Sequence, residues 1–262
     1  MKLNISSSSC VGCVRIHNED MILVGDKYVR DCEWSAEADL GAADRFMVAL
    51  ADGMGGHNSG DVASSDVLHN LRFYFDDLPA GMKAGDFNEA FCEWLRSVNK
   101  LIDSKGLGNR RYYNMGTTLV AFAYYGADFY WMNCGDSRIY RLHNDGLSQL
   151  STDHSLNTLT GSTQHSNIIT NCIGGGCKTS YIDIVNCTAN VVPGDTFLLC
   201  SDGLNDMVAD CDIQRLLNEG ADAGALCQAA VDAGACFTPG IRFAISMAQT
   251  ASFARKTKVI GM

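Results

Sequence analysis

The sequence has little proline, and it lacks internal repeats and stretches of low complexity. Its three prolines are scattered through 262 residues, which excludes a proline-rich linker between separate domains. Because 47% of the residues are hydrophobic and only 19% are charged, the chain can bury a sizeable core. Its length is compatible with one large domain. We therefore predict a single domain over residues 1–262, in which residues 233–262 form an atypical segment.

Basic residues are also scarce. The chain has 20 Lys and Arg against 30 Asp and Glu, a formal net charge of -10. Nucleic acids and anionic membranes are bound mainly through clustered Lys and Arg. We therefore expect neither a nucleic acid nor a membrane as a partner.

Long apolar runs are absent as well. No run approaches the roughly 18 residues that a membrane-spanning helix needs. The N-terminal sequence MKLNISSSSCVGCVR lacks the apolar core of about 7–15 residues that a secretory signal peptide contains. We expect a cytoplasmic protein.

Cysteine, in contrast, is abundant, with 12 residues. In a chain without an export signal we expect reduced thiols that pack in the core. The one C-x-x-C pair, Cys10 and Cys13, lacks a second pair at zinc-finger spacing. A chance spacing is the favoured interpretation, and a redox or zinc role is the alternative.

Five short segments are rich in β-branched and aromatic residues and are bounded by Gly, Asn or Asp, which predicts strands. They are residues 46–51, 118–124, 128–134, 137–142 and 196–201. Residues 125–127 and 143–146 are short enough to be hairpin turns, so the middle of the chain is predicted to be an antiparallel meander.

Helical periodicity falls between these blocks. One apolar stripe comprises Phe87, Phe91, Trp94, Leu95, Val98, Leu101 and Ile102, and a second begins with Val67, Leu71 and Phe75. Residues 210–217 and 221–233 are predicted as two later helices. Helices separated by an antiparallel block indicate an α+β layered domain rather than a parallel sheet.

Aspartates stand at the ends of three predicted strands, each beside glycine. Asp52 precedes Gly53, Asp136 follows Gly135, and Asp202 lies in Ser-Asp-Gly. Each one alone is more typical of a turn. If the strand ends converge, however, the three carboxylates form an oxygen-only cluster suited to Mg²⁺ or Mn²⁺, and the lack of His and Cys argues against zinc.

Six motifs occur in order: R-x-x-N-E-D at residues 15–20, DGMGGH at 52–57, MGTT at 115–118, NCGDSR at 133–138, TDHSL at 152–156 and LCSDGL at 199–204. Together they resemble the metal-dependent protein phosphatases of the PPM group, also called type 2C, in their bacterial form. The resemblance covers residues 11–208. It implies an α+β fold that is a four-layer α/β/β/α sandwich, with two central antiparallel sheets flanked by helices.

The resemblance also implies roles for individual residues. Asp52 would bridge two metal ions, with the carbonyl of Gly53 as a further ligand. Asp202 would bind the first metal, and Asp20 would contact the site directly or through water. Asp136, with Asp202, matches a pair that can hold a third ion in bacterial members. Residues 152–156 would open the flap beside the substrate.

The implied activity is that of a protein-serine/threonine phosphatase that uses two Mn²⁺ or Mg²⁺ ions. Two such ions lower the pKa of a bridging water and stabilise an in-line displacement. Arg15 would bind the substrate phosphate through its planar guanidinium. Arg15, Asp20 and Asp52 are thus the predicted catalytic residues, and phosphorylated proteins, the targets of a Ser/Thr kinase, are the predicted partners.

The C-terminal segment departs from the family pattern. The family has an Asp-Asn pair at the start of its final strand, and the Asp is a ligand of the first metal. Here Gly240 and Ile241 stand in that region, and residues 233–262 contain no Asp or Glu. Either genuine divergence or a change of reading frame accounts for this segment. We predict reduced metal affinity, and the alternative function is a catalytically impaired phosphoprotein-binding or regulatory pseudo-phosphatase.

Three other features are given non-catalytic interpretations. His57 follows Asp52 by five residues, and a helix-start or loop role is favoured over proton donation. Cys236 and Arg242 have the C-x5-R spacing of cysteine-dependent phosphatases, but the flanking residues Ala235, Pro239 and Phe243 do not match that loop. Residues 174–176, three glycines, are predicted to form a structural turn.

Overall fold

The structure, a computed structural model, describes residues 1–11, 17–41, 44–55, 59–161 and 168–233, and the backbone of residues 241–248. The strands in these residues are β1 (Lys2–Ser9), β2 (Met21–Val24), β3 (Lys27–Val29), β4 (Glu33–Asp39), β5 (Arg45–Ala51), β6 (Gly53–Met54), β7 (Gly116–Thr117), β8 (Leu119–Tyr125), β9 (Asp128–Cys134), β10 (Arg138–His143), β11 (Gly146–Gln149), β12 (Ile173–Gly174), β13 (Asp183–Asn186), β14 (Thr196–Cys200) and β15 (Ile241–Ala248). The helices are α1 (Gly60–Asp76), α2 (Ala84–Gly108), α3 (Leu156–Thr160), α4 (Asp202–Asn205), α5 (Asp210–Asn218) and α6 (Ala223–Asp232).

Two six-stranded sheets form the centre of the fold. The first has the order β11-β10-β14-β15-β1-β4, and the second has the order β13-β9-β8-β5-β2-β3. Neighbouring strands in both sheets pair in the antiparallel direction. A small sheet of order β12-β7-β6 lies beside them.

Strand β5 shows how the sequence assigns the two faces of a sheet. Val48 and Leu50 belong to the core between the two sheets, whereas Met47, Ala49 and Ala51 belong to the core beneath α1 and α2. Successive side chains of a strand point to opposite faces. A strand buried on both faces therefore needs the unbroken apolar run that this segment has.

The two sheets pack against each other through aliphatic and aromatic side chains. Phe122 of β8 and Phe197 of β14 face each other with ring centroids 4.6 Å apart. The first sheet also contributes Leu3, Ile5, Ile139 and Leu199 to this core, and the second sheet contributes Ile22, Val24 and Val120. This packing is that of a β-sandwich.

Helices cover the outer face of each sheet. The apolar faces of α1 and α2 pack on the second sheet, and α5 and α6 pack on the first sheet around Tyr140, Leu198 and Cys200. The layers are therefore helix, sheet, sheet and helix. The predicted four-layer α/β/β/α sandwich is confirmed.

Both predicted hairpin turns are present. Tyr125 pairs with Asp128, so Gly126 and Ala127 form a two-residue loop with φ values of 57° and 80°. In the second turn, Asn144 and Asp145 have φ values of 47° and 63°. Two successive positive φ angles match the twist of the flanking strands. The predicted glycine turn also forms, with φ values of 74°, 60° and 76° at residues 174–176.

Some parts of the structure differ from expectation. Leu101 lies on the predicted apolar stripe of α2 but is 50% exposed, because it lines an open groove between α1 and α2 together with Phe73. Strand β1 was not predicted from its sequence KLNISSSS. Its buried serines make hydrogen bonds instead of apolar contacts, as when Ser7 Oγ donates to the Trp34 carbonyl at 2.9 Å.

The backbone of β15 completes the first sheet. It lies between β14 and β1, with Arg242 opposite Cys200 and Ile241 opposite Ser9. Because β14 ends at Cys200, the start of β15 lies beside the segment that carries Asp202. The sheet is therefore continuous despite the unusual composition of the C-terminal segment.

None of the helices in the described residues combines the length and the hydropathy that crossing a membrane requires.

Candidate metal centre

The predicted aspartates converge where several strands end. Asp20 lies just before β2, Asp52 just after β5, Asp136 in the turn between β9 and β10, and Asp202 just after β14. Their charges act on one another: Asp202 raises the pKa of Asp20, Asp52 and Asp136. The structure thus brings together the four carboxylates that the sequence singled out.

Asp20 and Asp52, here called the inner pair, share a hydrogen bond between their carboxyl groups. The Asp20 side chain is completely buried, and this burial raises its pKa to about 8 although the bond from Asp52 opposes the rise. Burial also raises the pKa of Asp52 well above its ordinary value, and the charge of Asp20 adds to that effect. Both carboxyl groups are therefore biased toward their protonated, uncharged forms when no cation is bound.

Asp136 and Asp202, here called the outer pair, retain partial solvent access. Burial raises the pKa of Asp136 to about 7, with the charge of Asp202 as the next cause. The charges of Asp153 and Asp206 act in the same direction. The outer pair therefore lies in a strongly acidic neighbourhood that favours a cation or a proton.

Two threonines of the MGTT motif fix the backbone of Asp52. Thr118 Oγ1 accepts a hydrogen bond from the Asp52 amide at 3.1 Å, and the Thr118 amide donates to the Asp52 carbonyl at 2.9 Å. Thr117 Oγ1 donates to the same carbonyl at 2.8 Å. Thr118 also bonds Ser137, with 2.7 Å between the two hydroxyl oxygens. Thr118 therefore connects the inner pair to the turn that carries Asp136.

Gly53 follows Asp52 at a point of close backbone contact. A Cβ at this residue would lie 2.1 Å from the Gly60 carbonyl oxygen and 2.4 Å from that of Glu19. Both contacts are shorter than van der Waals distance, so no other residue fits without backbone movement. The Gly53 carbonyl oxygen faces Gly60, and its role as a metal ligand stays a prediction.

Arg30 supports the site, and no motif in the sequence indicates this role. Its Nε donates to the Asp20 carbonyl at 2.6 Å, and its Nη2 donates to the Asp61 carbonyl at 3.0 Å and to Ser64 Oγ at 2.9 Å. The guanidinium thus ties the residue before β2 to the first turn of α1. Its positive charge also lowers the pKa of Asp20, against the larger effect of burial.

The donor chemistry of the site fits a hard divalent cation. All four groups are carboxylates, and oxygen ligands suit Mg²⁺ and Mn²⁺. Oδ1 of Asp20 is buried and accepts no hydrogen bond from the amides, hydroxyls or basic side chains of the described residues. Among the described residues, no three His, Cys, Asp or Glu side chains are arranged so that they hold a metal ion together.

Several predicted residues lie outside the described part of the chain. They are Arg15, the predicted phosphate ligand, His57, and the C-terminal residues Cys236 and Gly240. Their roles stay predictions.

Comparison with known proteins gives the family. The family model described as Protein phosphatase 2C matches residues 32–230. The serine/threonine phosphatase Stp of Listeria innocua is 35% identical over 185 residues, which cover 65% of this chain and 71% of that protein. The protein phosphatase PhpP of Streptococcus pneumoniae is 31% identical over 226 residues, 82% of this chain and 84% of that protein.

Solved structures agree. PppA, a regulatory component of the T6SS in Pseudomonas aeruginosa, is 30% identical with a TM-score of 0.72 and covers 93% of this chain and 97% of that chain. The catalytic domain of PstP in complex with two manganese ions is 26% identical with a TM-score of 0.70 and covers 94% of this chain and 100% of that chain. The family predicted from the six motifs is confirmed, and the chain belongs to the protein phosphatase 2C family.

Proposed function

We propose that this protein hydrolyses phosphoserine and phosphothreonine in proteins, the targets of a Ser/Thr kinase, with two Mn²⁺ or Mg²⁺ ions and a third ion at the outer pair. The observation that carries the proposal is the convergence of Asp20, Asp52, Asp136 and Asp202 in one electrostatically coupled cluster. Relatives with phosphatase names, and a neighbour that contains two manganese ions, support it.

Asp20, Asp52 and Asp202 are the residues that would hold the first two ions, with Gly53 as the proposed carbonyl ligand. When bound, such ions supply Lewis-acid stabilisation of phosphoryl oxygens and lower the pKa of water toward neutrality. The protein's own contribution begins with the inner pair, whose raised pKa values mean that both carboxyls must be deprotonated in order to act as ligands. Thr117 and Thr118 keep the Asp52 backbone fixed while this happens.

Arg15 is proposed to bind the substrate phosphate. A guanidinium presents a planar fork of donors that matches two phosphoryl oxygens and stays charged at every working pH. It precedes Asp20 by five residues, and Arg30 holds the backbone at Asp20. Arg15 lies outside the described residues, so its place beside the inner pair is part of the proposal.

The C-terminal segment favours a second candidate function. The start of β15 lies beside the segment of Asp202, and residues 233–262 contain no acidic residue. A site with one carboxylate fewer has weaker metal affinity. The alternative is thus a pseudo-phosphatase that binds phosphoproteins through Arg15 and turns them over slowly or not at all.

Hydrolysis of p-nitrophenyl phosphate with and without Mn²⁺ separates the two functions. We expect wild-type turnover that requires Mn²⁺, is lost in Asp52→Asn, and persists in Asp212→Asn, a control at an exposed residue of α5. Turnover that survives excess chelator would contradict the proposal. No turnover, combined with Arg15-dependent binding of a phosphothreonine peptide, would establish the alternative.

A further inference from the structure

The turn between β9 and β10, residues 135–137, has a backbone conformation that favours glycine at its first residue. Gly135 has a φ of 126°, a region that side chains other than glycine rarely adopt. A Cβ there would also lie 2.6 Å from Cβ of Thr118. Asp136 is the next residue, so whatever fixes Gly135 also fixes the direction from which the Asp136 carboxylate projects.

His154 holds Gly135 at two points. The Gly135 amide donates to His154 Nδ1 at 3.1 Å, and the His154 amide donates to the Gly135 carbonyl at 2.9 Å. Asn133 Nδ2 donates to the same carbonyl at 3.2 Å and to the Thr152 carbonyl at 3.3 Å. The turn is therefore bonded to residues 152–154 through both backbone and side-chain groups.

The neighbours of the His154 ring fix its tautomer and its orientation. Asn171 Nδ2 lies 2.8 Å from Nδ1, so two donors point at that nitrogen and it must be an acceptor. The ring proton then lies on Nε2, which is 3.0 Å from Asp183 Oδ2. His154 is 6% exposed, so the ring is locked on both edges within the protein.

Asp153 holds the other side of the same turn. The Arg138 guanidinium donates to its carboxylate through Nε at 2.9 and 3.0 Å and through Nη2 at 2.6 Å, a bidentate ion pair. Arg138 Nη1 donates to Tyr140 Oη at 2.9 Å. Two consecutive residues, Asp153 and His154, thus bind Arg138 and Gly135, which flank Asp136 and Ser137.

We infer that His154, with Asp153, is a positioning residue for Asp136. This inference rests on the proposed function, because it assigns the Asp136 carboxylate a cation to hold. Residues 152–156 also lead directly into α3, and Asn171 and Asp183 come from the chain that returns beyond it. The direction of the Asp136 carboxylate is therefore coupled to residues 152–154 and, through the His154 ring, to Asn171 and Asp183.

The sharpest test is a double-mutant cycle between His154→Ala and Asp136→Asn. Loss of a residue that orients a metal ligand typically weakens metal affinity by about 10- to 100-fold. We expect His154→Ala to raise the Mn²⁺ concentration for half-maximal activity by that factor, but to have less than about a twofold further effect in the Asp136→Asn background. His154→Asn, which keeps an acceptor near the Nδ1 position, should recover much of the affinity.

Two measurements test the same inference without an activity assay. In calorimetric titration with Mn²⁺, the affinity of the weakest binding phase should fall by the same factor in His154→Ala and in Asp136→Asn. It should not change in the control His69→Ala, which removes a ring that stacks on Tyr28. Amide hydrogen exchange should accelerate at Gly135 in His154→Ala and be restored in His154→Asn.

The inference would be overturned if the fold-changes of His154→Ala and Asp136→Asn multiplied in the double mutant. It would also be overturned if the weak Mn²⁺-binding phase were unchanged in His154→Ala. An inactive wild-type protein would contradict the proposed function instead, and the calorimetric and exchange measurements would still decide the role of His154.

Discussion

The inner and outer pairs of aspartates are stabilised in different ways. In the inner pair Asp20 is completely buried while Asp52 keeps partial solvent access, and burial raises the pKa of both carboxyls. The outer pair is partly open to solvent, and Asp136 depends for its direction on Asp153 and His154. The inner pair therefore needs a cation in order to be fully charged, whereas the outer pair needs its neighbours in order to be aligned.

The largest expected effect is that of Asp52→Asn on catalysis. Metal ions contribute several kcal/mol of transition-state stabilisation, and about 1.4 kcal/mol corresponds to a tenfold rate change. We expect kcat/KM at saturating Mn²⁺ to fall by about 10³-fold, but by only about tenfold in Asp136→Asn. Steady-state kinetics of both variants check this, and equal losses would abolish the distinction between the pairs.

Metal removal should destabilise the protein through the inner pair. A ligand at about 100 times its dissociation constant stabilises the folded state by about 2.7 kcal/mol, which raises Tm by about 5–10 °C in a chain of this size. We expect this shift when Mn²⁺ is added to chelator-treated wild-type protein, and a much smaller one in Asp52→Asn. A scanning calorimeter provides the measurement, and an equal shift in both proteins would place the cation elsewhere.

The metal-free protein should lose stability as pH rises. Burial raises the pKa of Asp20 from 3.8 to about 8, so its contribution to folding is full below about pH 4 and is lost as pH rises through about 8. Asp20→Asn removes this loss. We expect its Tm advantage over the metal-free wild type to be at least about 3 °C greater at pH 9 than at pH 5. Thermal melts between pH 5 and pH 9 measure this difference in Tm, with Asp212→Asn as the control. A difference that does not change with pH would contradict the claim that a buried, ionised Asp20 destabilises the metal-free protein.

The smallest expected effect concerns the C-terminal segment. Gly240→Asp combined with Ile241→Asn returns a carboxylate to the position that the family pattern assigns to the first metal. We expect Mn²⁺ affinity to rise by about tenfold, or roughly 1.4 kcal/mol. The matched control is Gly240→Asn with Ile241→Asn, which adds similar volume without charge. Unchanged Mn²⁺-dependent turnover in the acidic variant would show that the missing Asp is not what limits the site.

Much of the fold follows from local patterns. The apolar runs of β5, β8 and β9 and the stripe of α2 identify elements that are buried on one or both faces. Strand β1 could not be predicted because its buried serines have partners far along the chain, such as Trp34, whose carbonyl accepts a hydrogen bond from Ser7 Oγ at 2.9 Å. Local apolar periodicity cannot reveal such long-range hydrogen bonds.

The site is predictable in its ligands but not in its supports. Asp52, Asp136 and Asp202 stand at strand ends beside glycine, and this pattern can be seen in the sequence. Arg30 joins the residue before β2 to α1. His154 joins the turn at Gly135 to Asp183 of β13. Only the tertiary structure brings these groups together.

The central claim, that the four aspartates form a divalent-metal phosphatase centre, is tested most directly by calorimetric titration of Mn²⁺ into chelator-treated protein, followed by hydrolysis of a phosphothreonine peptide. We predict at least two ions per wild-type chain, no tight binding in Asp52→Asn, and turnover that rises with occupancy. Phosphopeptide hydrolysis by a wild-type protein that binds no Mn²⁺ and no Mg²⁺ would contradict the claim.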